Sequence, residues 1–306
     1  MTDDRPVLGI LLMLLFCLLA PMGDAVAKLL GGHIPLGQLL LVRFALQAAL
    51  LYPLLARSGR LWRITPRLFW LMLIRTLLHM TGIGFMFSAL RYLPLADATA
   101  IAFVMPFLML LLGKFVLDEE VGWRRLAACA VGFAGTLLVI QPSFTDVGWP
   151  ALLPLGVAVV FSLFMLVTRQ LAKDTDPIGL QAISGMMATV IMLPLLLLGH
   201  GAGIEPLSLL MPTTAEWLLL AAIGLLGTAA HLVMTWSLRY APAATLAPMQ
   251  YLEIPIATFV GWLIFHDLPN AEAALGILIT IAAGLYIVMR ERAMARTMAR
   301  AAREPA

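Results

Sequence analysis

The residues with the clearest chemical potential are ionisable and amide side chains inside long apolar segments. Glu253 lies near the middle of the apolar segment 243–264, with Gln250 three residues before it and Tyr251 between them. Residues three apart share one face of a helix. A charge at the centre of a membrane span costs at least about 2.5 kcal/mol on insertion scales and typically marks a functional site. Glu253 is therefore predicted to bind a cationic group or to carry a proton.

Charged and polar residues also form pairs at helical spacing in the first three apolar segments. The members of each pair are four residues apart, so they lie on one helix face. The pairs are Asp24 with Lys28, Arg43 with Gln47, and Arg75 with His79. We predict that these faces turn towards the interior of a helix bundle.

Two interpretations of these charges stay open at this point. A salt bridge from Glu253 to Arg43 or Arg75 would hold helices together without taking part in binding. If most of the charges pair internally, either one positive charge is left for an anionic substrate group or proton uptake releases a carboxylate. His231 fits either a packed core or a site, whereas Lys114 lies close enough to its helix end to reach the membrane surface.

The elements that must position these residues are ten apolar segments, each near the ~20 residues that a helix needs to cross ~30 Å of hydrocarbon. They cover residues 8–30, 36–56, 68–90, 97–116, 124–141, 150–168, 177–198, 214–237, 243–264 and 272–289. The chain is 62% hydrophobic and 12% charged, with a mean hydropathy of +0.97. This composition excludes a soluble domain of this length and predicts an all-α polytopic membrane protein with ten transmembrane helices.

The basic residues predict the orientation of these helices. Fifteen of the twenty lysines and arginines fall on one side of the ten segments, and Arg91 alone lies in a loop on the other side. Cytoplasmic loops carry the excess of Lys and Arg in membrane proteins. Both termini are therefore predicted to be cytoplasmic, in a bacterial-type inner membrane. The basic C-terminal tail is interpreted as part of this signal and not as a nucleic-acid site.

An internal repeat divides the chain into two halves. Residues 90–94 and residues 238–242 share a Leu-Arg-Tyr motif that ends in proline, and each copy runs into a helix with a central proline, Pro106 or Pro255. Five spans per half is an odd number, so the second half is predicted to be inverted, a common architecture of secondary transporters. The predicted halves are residues 1–145 and 146–306, and both prolines are predicted to bend helices that line a gate. Duplication for stability alone is the alternative.

Several short motifs carry a resemblance to a known family. They are Arg43–Phe44, residues 98–100 leading to Pro106, Glu119 with Trp123–Arg125, residues 132–135, and Phe265–Pro269. In this order the chain resembles the EamA family of ten-helix transporters, within the drug/metabolite transporter superfamily. The segments 23–28, 250–253 and 265–269 are most similar to its S-adenosylmethionine uptake branch.

The resemblance implies a secondary transporter that moves a small polar or zwitterionic metabolite by alternating access, with an S-adenosylmethionine-like ligand as the leading expectation. Asp24 and Glu253 would take its sulfonium and ammonium groups, Arg43 or Arg75 its carboxylate, and Tyr251 its adenine. The other expected substrate or coupling residues are Lys28, His79 and Gln250.

The alternatives are an exporter of amino acids or drugs with the same fold and, from a different class, a lipid-handling flippase or a membrane-embedded enzyme. The sequence has no nucleophile elbow, no phosphate-binding loop and no metal-ligand spacing, so no enzymatic activity, cofactor or metal is expected. The expected partners are a small-molecule substrate, the bilayer, and protons or an exchange substrate.

Overall fold

The computed structural model describes residues 6–58, 65–105, 107, 108, 112, 123–172, 175–241, 246 and 250–301. Within these residues the chain is helical and contains no β-strand. Pro106, Lys114 and Glu119 lie outside them, and so do parts of the predicted spans 97–116 and 243–264.

The described residues form ten α-helices. They are α1 (Pro6–Leu30), α2 (Leu36–Ser58), α3 (Pro66–Ala89), α4 (Leu95–Ala102), α5 (Trp123–Val147), α6 (Leu153–Ala172), α7 (Pro177–Gly201), α8 (Thr214–Tyr240), α9 (Glu253–Phe265) and α10 (Ala271–Ala301). Short 3-10 helices at Trp149–Leu152 and Glu205–Leu207 connect α5 to α6 and α7 to α8.

Seven of these helices are long and apolar enough to cross a membrane, namely α1, α2, α3 and α5 to α8. Two shorter apolar stretches, Glu253–Phe265 and Ala271–Ala283, lie in α9 and α10. The prediction of an all-helical polytopic membrane protein is therefore confirmed. The count of ten spans and the cytoplasmic termini stay predictions.

Polar caps define where several of these helices begin. The Thr213 hydroxyl accepts a hydrogen bond from the backbone N–H of Glu216, and the Glu216 carboxylate accepts one from the Thr213 N–H at 2.7 Å. The Asp176 carboxylate caps α7 by accepting from the Gly179 N–H at 3.1 Å. Because the first N–H groups of a helix have no partner within it, such caps satisfy them where the helix starts.

The helices pack mainly across the two predicted halves of the chain. α1 packs on α8 and α3 packs on α6; α2 packs on α7, α4 on α9 and α5 on α10. When the helices of each half are numbered from one to five, the first helix of each half packs on the third helix of the other. The second, fourth and fifth helices each pack on their own counterpart, so the pairing stays the same when the two halves are exchanged. The main interface of the molecule therefore runs between the halves.

Glycines allow the closest of these contacts. A Cβ atom at Gly276 of α10 would lie 2.5 Å from the backbone oxygen of Gly135 in α5, and one at Gly185 of α7 would lie 2.9 Å from the backbone nitrogen of Ala48 in α2. Small residues let helix backbones approach in this way, which gives van der Waals contact where lipid offers no hydrophobic driving force.

Candidate functional site

Two helical segments are interrupted at the centre of the bundle, and the interruptions face each other. α4 is followed by a turn at residues 103–104, and a turn at residues 251–252 precedes α9, which begins at Glu253. The ring centroids of Phe103 and Tyr251 lie 5.5 Å apart. Irregular backbone inside a membrane protein is tolerated where it is buried or lines a cavity.

A cavity of about 100 Å³ lies against these interruptions, and residues from both halves line it. Its polar lining consists of Asp24, Arg43, Thr99, His231, Gln250 and Glu253. The remaining lining is apolar, with four methionines and the aromatic rings of Phe16, Phe87, Phe103 and Phe161. A mostly apolar pocket with a few converging polar groups is the usual form of a small-molecule site.

Arg43 carries the positive charge that lines the cavity. The side chain is 2% exposed, and its Nη1 atom has no hydrogen-bond partner among the described residues. A Cβ atom at Gly227 would lie 2.8 Å from Nε of Arg43, so the glycine makes the space that the guanidinium occupies against α8. A buried guanidinium with an unused N–H suits an anionic ligand group.

Asp24 and Glu253 carry the negative charges of the cavity. Both side chains are half-buried, and they interact electrostatically with each other. Asp24 also interacts with Arg43 without reaching ion-pair distance. Glu253 stands in the first turn of α9, where the helix dipole favours a negative charge. The cavity thus holds two carboxylates against one guanidinium.

The salt bridge considered as the alternative for Glu253 does not form. Among the described residues the one ion pair within 4 Å joins Lys28 to Asp267. Gln250, three residues before Glu253, does line the cavity, and its Nε2 atom lies 3.7 Å from the sulfur of Met165.

His231 lines the cavity and contacts His79, which is buried next to it and does not line the cavity. Their Nε2 atoms are 3.3 Å apart, and Phe164 stacks on His79 with ring centroids 4.7 Å apart. The Nδ1 atoms of both rings are buried without a hydrogen-bond partner in the described structure. Because His79 belongs to α3 and His231 to α8, the contact joins the two predicted halves.

Arg75 does not line the cavity. Its Nε atom donates to the Thr168 hydroxyl at 2.9 Å, and its Nη1 atom donates to the Ser184 hydroxyl at 2.8 Å. The two arginines that appear equivalent in the sequence therefore differ in place. Arg43 lies at the cavity, whereas Arg75 is enclosed between α3, α6 and α7.

Lys28 lies at one end of the bundle. We call the group of Lys28, Leu93, Phe265 and Asp267 the Lys28 end. Its Nζ atom donates to Asp267 at 2.8 Å and to the backbone oxygen of Leu93 at 3.1 Å, and it lies 4.7 Å from the ring centroid of Phe265. These contacts join α1 to the segment between α9 and α10. They lie about one helical turn along α1 from Asp24, which lines the cavity.

Asp97 belongs to this charged network and was missed as a candidate. It is 7% exposed, accepts a hydrogen bond from the Ser143 hydroxyl at 3.2 Å, and interacts electrostatically with Lys28 and Asp267. The sequence places it at the first position of a predicted span, where a carboxylate normally reaches water. Its position relative to Lys28 became apparent only in the tertiary structure.

Other predicted residues lie outside the cavity. Gln47 donates to the backbone oxygen of Gln181 at 2.8 Å, and Tyr251 is 3% exposed behind Phe103. Phe103 therefore lines the cavity where Tyr251 was expected to, and Tyr251 does not reach the lining. Pro255 is exposed in the first turn of α9, directly after the turn at residues 251–252, and its missing N–H breaks no hydrogen bond of α9. Its predicted place at a gate stays a prediction.

Helices that can span a bilayer and enclose a cavity with charged groups define a multi-pass membrane transporter. The model of the EamA-like transporter family matches residues 7–141 and, a second time, residues 148–290. The chain belongs to this family of the drug/metabolite transporter superfamily, and the membership predicted from the sequence is confirmed.

Two relatives with named substrates cover most of the chain. A riboflavin transporter of Rhizobium johnstonii is 31% identical over 222 residues, which are 72% of this chain and 71% of the relative. An S-adenosylmethionine uptake transporter of Rickettsia prowazekii is 24% identical over 284 residues, which are 93% of each chain. A crystal structure with 21% sequence identity has a TM-score of 0.64 and covers 94% of this chain and 98% of its own, so the fold is shared.

Proposed function

We propose that this protein is an inner-membrane secondary transporter for a small zwitterionic metabolite with an excess positive charge, and that S-adenosylmethionine is the leading candidate. The observation that carries the proposal is the charge of the cavity. Asp24 and Glu253 supply two carboxyl groups and Arg43 supplies one guanidinium group. A ligand with two cationic groups and one carboxylate, such as S-adenosylmethionine, complements this set.

The apolar lining supports the same class of ligand. The rings of Phe16, Phe103 and Phe161 offer stacking faces to a purine, and methionine side chains adapt to irregular shapes. A sulfonium carries its charge on a weakly hydrated centre, which an aromatic face attracts. The S-adenosylmethionine uptake relative agrees with this chemistry.

Alternating access between two inverted halves is the proposed mechanism, with ten spans and both termini in the cytoplasm. Two observations support this arrangement: the helix pairing stays the same when the two halves are exchanged, and the family model matches the chain twice in succession. The cavity of about 100 Å³ is smaller than the ~300–1,000 Å³ of ligand clefts, so a metabolite enters only when one end opens. We propose that the Lys28 end is one of the two gates.

Riboflavin is the second candidate, and a specific observation favours it. The cavity lining is mainly aromatic and apolar, which suits a flat uncharged ring, and a riboflavin transporter is among the relatives. Riboflavin has no cationic group to pair with Asp24 or Glu253. The two candidates therefore differ in their dependence on these carboxylates.

Uptake and binding of the two radiolabelled candidates decide between them. Purified protein is reconstituted in liposomes, and each ligand is tested with the natural chain and with Asp24→Asn. We expect S-adenosylmethionine to be transported and its binding to weaken at least tenfold in the variant. Riboflavin transport that is unchanged in the variant would replace the first candidate, and failure of both ligands would overturn the substrate proposal. Liposomes loaded with the same ligand report export, which tests the direction.

A further inference from the structure

Arg75 presents a charge that the transport site does not use. Its side chain has no exposed surface and does not line the cavity. No carboxylate of the described residues lies within ion-pair distance of it. Phe164 covers one face of the guanidinium, with Cζ 4.7 Å from the ring centroid. A cation–π contact offsets part of such a charge through the face of the guanidinium and does not occupy the N–H groups at its edge.

The two hydroxyl groups bonded to Arg75 are both acceptors in these bonds. Thr168 accepts from Nε and Ser184 accepts from Nη1. Each hydroxyl therefore keeps its own proton for a further acceptor. Other buried hydroxyls on the same helices behave differently, since Ser162 donates to the backbone oxygen of Ala158 at 2.6 Å and Thr189 donates to that of Gly185 at 2.7 Å. Neither Thr168 nor Ser184 makes such a bond in the described structure.

A third donor completes the set. Nη2 of Arg75 is buried and has no hydrogen-bond partner among the described residues. The two N–H groups of Nη2 and two hydroxyl protons thus surround a positive charge, and no acceptor of the described residues takes them. Buried donors and buried charges are normally paired, because leaving them unpaired costs stability. A ligand that accepts hydrogen bonds and carries one negative charge would bind these donors and also neutralise the charge of Arg75.

We propose that Arg75, Thr168 and Ser184 form a binding site for a monovalent inorganic anion of halide size, such as chloride. Complete burial excludes an organic anion, whose body would have to replace packed side chains. Water accepts hydrogen bonds but leaves the guanidinium charge uncompensated. The site joins α3 to α6 and α7, so the bound anion strengthens an interface between the two halves.

The proposal is tested by the thermal unfolding of the purified protein in detergent as bromide replaces gluconate at constant ionic strength. A ligand that binds only the folded state raises the unfolding midpoint in a saturable manner. The double variant Thr168→Val with Ser184→Ala removes two donors and keeps Arg75. Its matched control is Thr189→Val with Ser162→Ala, which makes the same substitutions on the same two helices at hydroxyls that already have carbonyl partners.

We expect a saturable rise for the natural chain and for the control, and an apparent Kd for bromide at least tenfold weaker in the double variant. A crystal grown in bromide should show an anomalous peak next to Nη2 of Arg75. An unfolding midpoint that does not respond to bromide overturns the site, as does an equal loss in the double variant and its control. Neither readout contains a transported substrate, so failure of the anion site and failure of the transport proposal are distinguishable.

Discussion

Phe103 and Tyr251 meet with ring centroids 5.5 Å apart, each at a turn that interrupts a helical segment. The two residues are 148 positions apart in the chain, which is also the separation of the two Leu-Arg-Tyr motifs. Phe103 lines the cavity and Tyr251 supports it from behind. If the two halves are inverted repeats, this contact lies on the axis that relates them.

A double-mutant cycle tests this contact. Phe103→Ala and Tyr251→Ala should each lower the free energy of unfolding by roughly 3 kcal/mol, because each removes a buried aromatic ring. The loss of unfolding free energy in the double variant should differ from the sum of the two single losses by about 0.5–1.5 kcal/mol, which is the usual coupling energy of an aromatic pair. Reversible denaturant unfolding in micelles gives these values. Phe259→Ala, at a side chain that is 58% exposed, is the control and should cost less. Strict additivity would contradict the proposed coupling.

Gly227→Ala should displace the Arg43 guanidinium. The new Cβ atom would lie 2.8 Å from Nε, closer than real Cβ contacts allow. Alanine in place of glycine otherwise stabilises a helix interior by about 0.5–1 kcal/mol, so a loss of ligand affinity points to the displaced side chain. We expect the affinity for a carboxylate-bearing ligand to fall about tenfold, while that for its methyl ester stays unchanged.

Gly23→Ala is the matched control for Gly227→Ala, since its Cβ atom would meet only Leu226, at 3.8 Å. Isothermal titration of both variants with both ligands provides the comparison. Equal losses for the acid and the ester would show that Gly227 contributes general cavity shape and does not act through Arg43.

Glu253→Gln keeps the shape of the side chain and removes its charge. We expect uptake to fall at least tenfold, because a carboxylate in this cavity has no interfacial position to reach. Loss of pH dependence with binding retained would assign a proton to Glu253, whereas loss of binding would assign a cationic ligand group to it. Glu272→Gln, at an exposed acid in the first turn of α10, should leave uptake unchanged. A folded Glu253→Gln protein with natural uptake and pH dependence would refute the prediction.

The Lys28–Asp267 pair should act on gate opening more than on stability. Its side chains are 18% and 37% exposed, and pairs of this kind contribute about 0–1 kcal/mol. Asp267→Asn should therefore measurably raise the labelling rate of a cysteine that replaces Gly23 in the cavity, by no more than about fivefold, as measured with an impermeant thiol reagent. The charge-swapped pair Lys28→Asp with Asp267→Lys should restore the slower rate. An unchanged rate in Asp267→Asn would exclude this gate.

The orientation in the membrane is tested by cysteine labelling in a background without Cys17 and Cys129. A cysteine that replaces Ser58 should stay unlabelled in intact cells and react after permeabilisation, because the arginine-rich segment that follows it is predicted to be cytoplasmic. Met211, which is 94% exposed in a loop that is predicted to lie on the opposite side, provides the control and should be labelled in intact cells when replaced by cysteine. The reverse pattern would contradict the predicted topology.

The sequence alone determined the class of the molecule and the residues that needed an explanation. The transfer of a segment into hydrocarbon depends on its own side chains, so the apolar segments and the mid-span position of Glu253 could be recognised without any tertiary contact. The bias in basic residues is likewise a property of separate loops. The motifs that carry the family resemblance are local stretches as well, and they identified the family that the comparisons confirmed.

Only the tertiary structure decided which of these charges share a site. Arg43 and Arg75 each precede a polar residue by four positions, yet the rotation of α2 turns Arg43 into the cavity and that of α3 turns Arg75 towards Thr168 and Ser184. Lys28, four residues after Asp24, pairs with Asp267 at a distance of 239 residues along the chain. Helix periodicity defines a shared face but not its direction. That direction depends on packing against helices far away in the sequence, which no local pattern contains.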